Sequence, residues 1–229
     1  MHSGVVAVGA LATVAALGVG ACGGGGAKQS KASSGTTAAG PTTIADPASA
    51  LRAALLSVGD VPGSTALPTH QSPTDLSGCF AGNPFGTRSD PGQSDGPDLV
   101  VTVGKAALQV FGSTARSGPV DAATSYVTSF STKATAACVL QVVKASPTTT
   151  GTDTTHLRAI ASTATVGDGA GSITISGPIK MNGNPSTLDA QLVAFRKAGT
   201  VVVVSVLSIG STPPADKAVT LARAVAARL

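Results

Sequence analysis

The spacing of hydrophobic residues along the chain changes about halfway through it. Between residues 117 and 138, apolar residues recur at intervals of three and four, which predicts one helix with a single buried face. Ser117-Gly118-Pro119 opens this predicted helix, and Cys138 lies at its end. Its predicted buried face consists of Val120, Ala123, Val127, Phe130, Ala134 and Ala137.

Beyond residue 157, β-branched residues form runs that are separated by short glycine-containing segments. Runs 157–166 and 172–176 flank the segment 167–171, and runs 188–197 and 200–209 flank Ala198-Gly199. This arrangement predicts two β-hairpins. Residues 201–204 are all valine, so their strand is expected to be central or covered on both faces.

Further elements complete the predicted domain. Asp46-Pro47 is typical of a helix N-cap and first helical position, for a helix that reaches residue 56. Residues 106–111 predict a strand, whereas residues 64–105 are rich in Pro, Gly, Ser and Asp and predict a long excursion without regular elements. Pro213-Pro214 precedes a terminal helix. Its expected buried residues are Ala218, Leu221, Ala222, Val225 and Leu229.

Together these elements predict an α+β fold, in which two or three helices pack on an antiparallel β-sheet. The predicted domain spans residues 46–229, a length typical of one domain.

The amino-terminal part of the chain has a different character. Residues 4–21 carry no charge and end in small residues, which predicts a cleaved signal peptide over residues 1–21. An uncleaved transmembrane anchor is the alternative, but glycines dilute the segment, and a spanning helix needs about 20 predominantly apolar residues. Met1-His2-Ser3 contains no Lys or Arg, although signal peptides normally begin with positive charge, so the natural start is expected upstream.

The residues Val19-Gly20-Ala21-Cys22 resemble the lipobox of bacterial lipoproteins. In that family the cysteine thiol receives a diacylglycerol, the preceding peptide bond is cut, and the new amino terminus is usually acylated with a chain such as palmitate. The resemblance implies that Cys22 is lipidated and holds the protein on the outer face of the cell membrane. Residues 22–45, mostly Gly, Ala, Ser and Thr, predict a disordered tether; whether it carries O-linked sugars is open.

Cys79 and Cys138 are the two cysteines that remain after Cys22. An even pair in an exported chain predicts a disulfide, which would stabilise the fold by roughly 4 kcal/mol for a loop of about 60 residues. A reactive thiol or a metal ligand is the alternative. It is disfavoured because the chain has no CxxC and, after residue 21, only His70 and His156 as imidazole partners.

Motifs for catalysis or cofactor binding are weak. Asp90, Asp95 and Asp98 lie near Arg88, but their spacing misses the alternating ligand pattern of a calcium loop and is typical of turns. Residues 167–171 lack the Gly-Lys-Ser/Thr ending of a phosphate-binding loop and are typical of a hairpin turn. We therefore expect no catalytic residue, no cofactor and no metal.

Histidine placement leaves one enzymatic alternative open. His70 lies in the long excursion and is the base around which an unrecognised Ser/His/Asp hydrolase site could form. His156 is expected to point outward at the start of a strand.

The distribution of charge along the chain argues against one class of partner. The formal net charge of +4 is spread over isolated Lys and Arg residues, without a basic stripe or an aromatic platform, so nucleic acid is not an expected partner. All eleven acidic residues are aspartates.

The order of short motifs resembles a recurrent class of actinobacterial, mycobacterial-type lipoproteins, similar in outline to PknH-like extracellular sensor domains. The motifs are residues 53–63, a first cysteine, Ala136-Ala137-Cys138, the hairpin at residues 195–204 and the closing residues 222–229. The sensor domain carries two disulfides, whereas this chain has one cysteine pair beyond Cys22. The resemblance implies non-enzymatic binding of an envelope ligand or protein; a lipid or glycolipid carrier is the alternative.

Overall fold

A computed structural model describes residues 47–67, 76–80, 93–104, 107–146, 152–181 and 183–229. The predicted signal peptide, the tether with Cys22, and the candidate residues His70, Arg88 and Asp90 lie outside the described residues.

In these ranges the framework is an antiparallel sheet of nine strands. The strands are β1 (Thr65–Ala66), β2 (Gln93–Asp95), β3 (Leu99–Val103), β4 (Ala107–Ser117), β5 (Thr152–Asp153), β6 (Arg158–Ala164), β7 (Gly169–Met181), β8 (Asn184–Lys197) and β9 (Thr200–Ile209). They pair in the order β1-β3-β4-β9-β8-β7-β5, while β2 also pairs with β4 and β6 also pairs with β7.

Four α-helices are present among the described residues, two on each face of the sheet. They are α1 (Pro47–Ala54), α2 (Val120–Ser129), α3 (Lys133–Ala145) and α4 (Lys217–Ala226). The α4 face carries α1 and α4, and the α2 face carries α2 and α3. The predicted α+β class with an antiparallel sheet is therefore confirmed. None of the helices in the described ranges is both long and apolar enough to span a bilayer.

Strand β9 shows why the valine run is continuous. It lies between β4 and β8, and successive side chains point to opposite faces of the sheet. Val202 and Val204 pack in the core on the α4 face, with Leu221 of α4. Val201 packs on the α2 face, with Val127 of α2. The prediction that this strand is central and covered on both faces is confirmed.

Both predicted hairpins are also confirmed. Strands β8 and β9 join through Ala198 and Gly199, and β6 joins β7 through the turn at Gly167 and Asp168. Asp168 links the two turns, because its carboxylate accepts a hydrogen bond of 2.7 Å from the backbone N–H of Ala198.

The prediction of one helix over residues 117–138 is wrong. The chain forms two helices, α2 and α3, with residues 130–132 between them. Thr132 caps α3, because its side chain accepts a hydrogen bond of 3.2 Å from the Thr135 N–H. The break changes the buried face of the second helix. Its buried residues are Thr135, Ala136 and Val139. Of the predicted buried residues, Val120, Ala134 and Ala137 are exposed, and Cys138 lies within α3 instead of ending it.

The prediction that residues 64–105 lack regular elements is wrong. Strand β3 pairs with β4 along its whole length, and β1 and β2 add short pairings. The predicted disulfide is confirmed: Cys79 and Cys138 are bonded, with their Cα atoms 5.6 Å apart. Next to it, the Phe80 ring stacks on Phe130 at a centroid distance of 4.3 Å. The bridge and this stacked pair hold the excursion against α2 and α3.

Candidate functional site

The α4 face is covered unevenly. Helix α4 packs on β8 and β9, whereas β6 and β7 extend past it. An open groove of about 360 Å³ lies beside α4, where the helix no longer covers the sheet. Strands β6–β8 form its floor, and residues of α4 form its wall.

Hydroxyl groups from neighbouring strands form the groove floor. The sheet register places Ser162 opposite Ser172, and Thr174 opposite Gln191, so these side chains share the α4 face. The two serine hydroxyl oxygens lie 2.7 Å apart. Because a hydroxyl both donates and accepts hydrogen bonds, this floor can meet donors and acceptors of a ligand alike.

Gln191 fixes the wall of the groove relative to its floor. It is almost fully buried, and its Oε1 accepts a hydrogen bond of 3.2 Å from the N–H of Ala218 in the first turn of α4. Its Nε2 donates to the carbonyl oxygen of Pro214 at 3.0 Å. Asp216, at the N-cap position, makes no capping hydrogen bond. A side chain from the sheet therefore caps α4 in place of the local aspartate.

Gln191 also contacts a buried acid, Asp189. Gln191 Nε2 also donates to Asp189 Oδ1 at 3.3 Å, and only 9% of Asp189 is exposed. Burial raises the pKa of the Asp189 carboxyl, and the hydrogen bond from Gln191 offsets part of that rise. Asp189 does not line the groove.

Two opposite charges lie on the α4 side of the groove. They belong to Asp216 and Arg223. The Arg223 Nε donates to the carbonyl oxygen of Thr165 at 3.3 Å, which joins α4 to the segment after β6. The groove thus has hydroxyl groups on its floor. On its wall it has a negatively charged acceptor, Asp216, and a positively charged donor, Arg223.

The residues singled out from the sequence lie elsewhere. His156 is exposed, as expected, but it lies in a turn before β6 and not at the start of a strand. Asp95 is in β2, where it accepts a hydrogen bond of 3.2 Å from Gln93 Nε2, and Asp98 is buried beside β3. Within the described ranges there is no cluster of three or more His, Cys, Asp or Glu residues that could hold a metal ion. Sequence reasoning did not identify any groove residue.

Comparisons with known proteins add little to this picture. No family model and no curated protein matches the chain. A solved structure, the crystal structure of LpqN involved in cell envelope biogenesis of Mycobacterium tuberculosis, matches with a TM-score of 0.28 and 16% identity. The match covers 61% of this chain and 84% of that chain. At this TM-score the likeness carries no argument about fold or function.

Proposed function

We propose that this protein is a lipid-anchored binding protein of the cell envelope, held through Cys22, and that the groove on the α4 face binds its ligand without catalysis. The observation that carries the proposal is the groove itself, in which hydroxyl side chains from neighbouring strands face a helix wall fixed by Gln191. The proposal includes a PknH-like sensor role, in which the domain binds a ligand and catalyses no reaction.

The extracytoplasmic location is supported by the disulfide. Cys79 and Cys138 are bonded, and structural disulfides persist mainly in oxidising compartments. The lipobox-like residues before Cys22 supply the means of attachment.

The chemistry of the groove favours a polyhydroxylated ligand such as a glycan. Eight of its fourteen lining residues have polar side chains, and five of these are Ser or Thr. An acyl chain offers no hydrogen-bond partner to the Asp216 and Arg223 side chains of the wall, and burying a charged group without a partner costs free energy. The wall carries one negative charge, on Asp216, and one positive charge, on Arg223. Its net charge is therefore zero, which suits a neutral ligand better than a strongly charged one.

Native mass spectrometry of the full-length protein, extracted from its own host in mild detergent, tests the ligand class. The proposal predicts a bound mass that fragments into sugar units. A bound acyl lipid without sugar would instead support the carrier alternative. Protein that is empty in every preparation would contradict ligand binding in the groove.

Cell fractionation tests the anchor separately. The full-length protein is expected in the membrane fraction, and the Cys22→Ser variant in the soluble fraction. A variant that remains in the membrane fraction would show that the lipid on Cys22 is not the anchor.

The hydrolase alternative has its own test. A hydrolytic activity of the purified protein that disappears in a folded His70→Ala variant would overturn the non-enzymatic proposal. His156→Ala is the matched control, because His156 lies in an exposed turn.

A further inference from the structure

Strand β6 forms a free edge of the sheet. It is seven residues long, and among the described residues it pairs only with β7. The short strands toward the opposite edge are β1 and β2, which have two and three residues, and only β1 is exposed along its length. A long edge strand presents unpaired backbone N–H and C=O groups that can pair with another strand.

After Arg158, at its first position, this edge lacks the features that normally prevent such pairing. Residues 159–164 contain no charge, no proline and no glycine. Ile160, in the middle of the strand, is 66% exposed, more than any other large apolar side chain in the described part of the chain. Its pairing with Thr174 places it on the α4 face, next to the groove floor.

We propose that β6 pairs antiparallel with β6 of a second copy, with Ile160 opposite Ile160, so that two sheets join into one. The strand is suited to itself as a partner. In this register each Arg158 lies opposite Ser162 of the other copy, so no two like charges meet. The exposed Ile160 side chains bury each other at the two-fold axis, where paired Cβ atoms lie about 5 Å apart.

The pairing also changes the groove. Two strands that pair edge to edge about a two-fold axis perpendicular to the sheet keep their α4 faces on the same side. Ser162 lines the groove from β6 itself, so the groove is open toward the second copy. The two floors then adjoin, and the α4 helices of both copies wall a single trough. A groove that is open on one side in one copy is closed on both sides in the pair.

Disulfide cross-linking in the native membrane tests this register. Cysteine is introduced in the full-length protein as Ile160→Cys, Arg158→Cys or Val120→Cys, and the membranes are treated with copper phenanthroline. A disulfide needs Cα atoms no more than about 7 Å apart. Two Ile160→Cys residues meet this limit, whereas two Arg158→Cys residues lie roughly 14 Å apart in the same register. Val120, half-exposed at the start of α2, is the control on the other face.

The expected result is a band at twice the monomer mass for Ile160→Cys, at least tenfold stronger than for the other two variants and the parent chain. Co-expressed Arg158→Cys and Ser162→Cys are expected to cross-link to each other and not to themselves, which keeps the test valid if Ile160→Cys folds poorly. Absence of both cross-links, equal cross-linking at all three positions, or a band with a different protein would overturn the proposal. The monomer band shows that the protein is present in the membranes, and the ligand does not enter this test, so absence of the cross-link leaves the proposed function standing.

Discussion

Arg228 and Asp60 join the end of the folded chain to its beginning: the Arg228 Nη1 lies 2.6 Å from the Asp60 Oδ1. The same guanidinium donates to the carbonyl oxygens of Ala54 and Leu55, at 3.0 and 3.1 Å. Ala54 is the last residue of α1 and Leu55 follows it, so neither carbonyl has a partner within that helix. One side chain therefore caps α1 and pairs with the acid just after it.

Replacing this guanidinium tests its contribution to stability. Arg228→Ala removes the ion pair and leaves the two carbonyls at the end of α1 unpaired, so the free energy of unfolding is expected to fall by about 2 kcal/mol. Urea denaturation measures the change. Arg52→Ala, an exposed arginine on α1, is the control and should change stability by no more than about 0.5 kcal/mol. Equal midpoints for both variants would show that Arg228 does not stabilise α1.

The acid of this pair predicts a pH dependence. Burial disfavours the charged form of Asp60, but hydrogen bonds from Arg228 and Ser57 outweigh it and hold its pKa below its ordinary value. The folded state therefore binds this proton less readily than the unfolded state. Stability from Asp60 is complete above about pH 4 and is lost as the pH falls through the folded-state pKa.

Thermal unfolding of the parent and the Asp60→Asn variant across this range measures the effect. The difference in Tm should be largest at neutral pH and should shrink below about pH 4. A difference that is constant with pH would contradict a stabilising carboxylate.

Much of the sheet could be predicted from the sequence, because its evidence is local. The hairpin of β8 and β9 has long β-branched runs and a two-residue turn, and both signals act within a few residues. The separation of α2 and α3 has a weaker signal, since the residues at 129–132 include neither Gly nor Pro and only Ser and Thr side chains, such as the N-cap Thr132, mark it. Residues 134–137 are all small, so more than one face of the helix could be buried there. The spacing of apolar residues indicated the wrong face.

The candidate site could not be predicted for a different reason. Ser162, Thr174, Gln191 and Arg223 come from three strands and a helix, and only the pairing of the strands brings them together. The strand β3 does have a local signal, because four of its five residues are β-branched, but the turn-forming residues around it led to the prediction of an irregular segment.

Gly171 shows a packing requirement that a single methyl group tests. A Cβ at this position would lie 2.7 Å from the Val127 carbonyl oxygen and 2.8 Å from Phe130 Cβ, so α2 could not approach the sheet as it does. Gly171→Ala is expected to lower the free energy of unfolding by about 1–3 kcal/mol. Gly169→Ala, two residues away on β7, is the control, because its Cβ would meet nothing closer than 3.9 Å. If the two variants are equally stable, the close approach is not a constraint.

The disulfide is expected to matter for the aromatic cluster beside it. The double variant Cys79→Ser with Cys138→Ser should lose roughly 4 kcal/mol of stability, as expected for a closed loop of this length. It should also free Phe80 from Tyr126, whose ring centroid lies 5.1 Å away. Tyr126 is the one tyrosine in the chain, so near-UV circular dichroism reports on this cluster directly.

Cys22→Ser is the matched control for the double variant, because it removes a cysteine without touching the bridge. It should keep both the stability and the tyrosine signal. An unchanged urea midpoint in the double variant would contradict a stabilising role for the disulfide.

The central claim is that the groove binds a polyhydroxylated ligand, and groove variants of the full-length protein test it most directly. The measurement is the fraction of protein that carries the ligand in native mass spectra after extraction from the host. Arg223→Ala and Asp216→Ala are expected to lower that fraction at least fivefold, while Arg52→Ala and Asp121→Ala, which remove the same charges from exposed positions outside the groove, leave it unchanged. Ligand occupancy that is equal in all four variants would contradict binding in the groove.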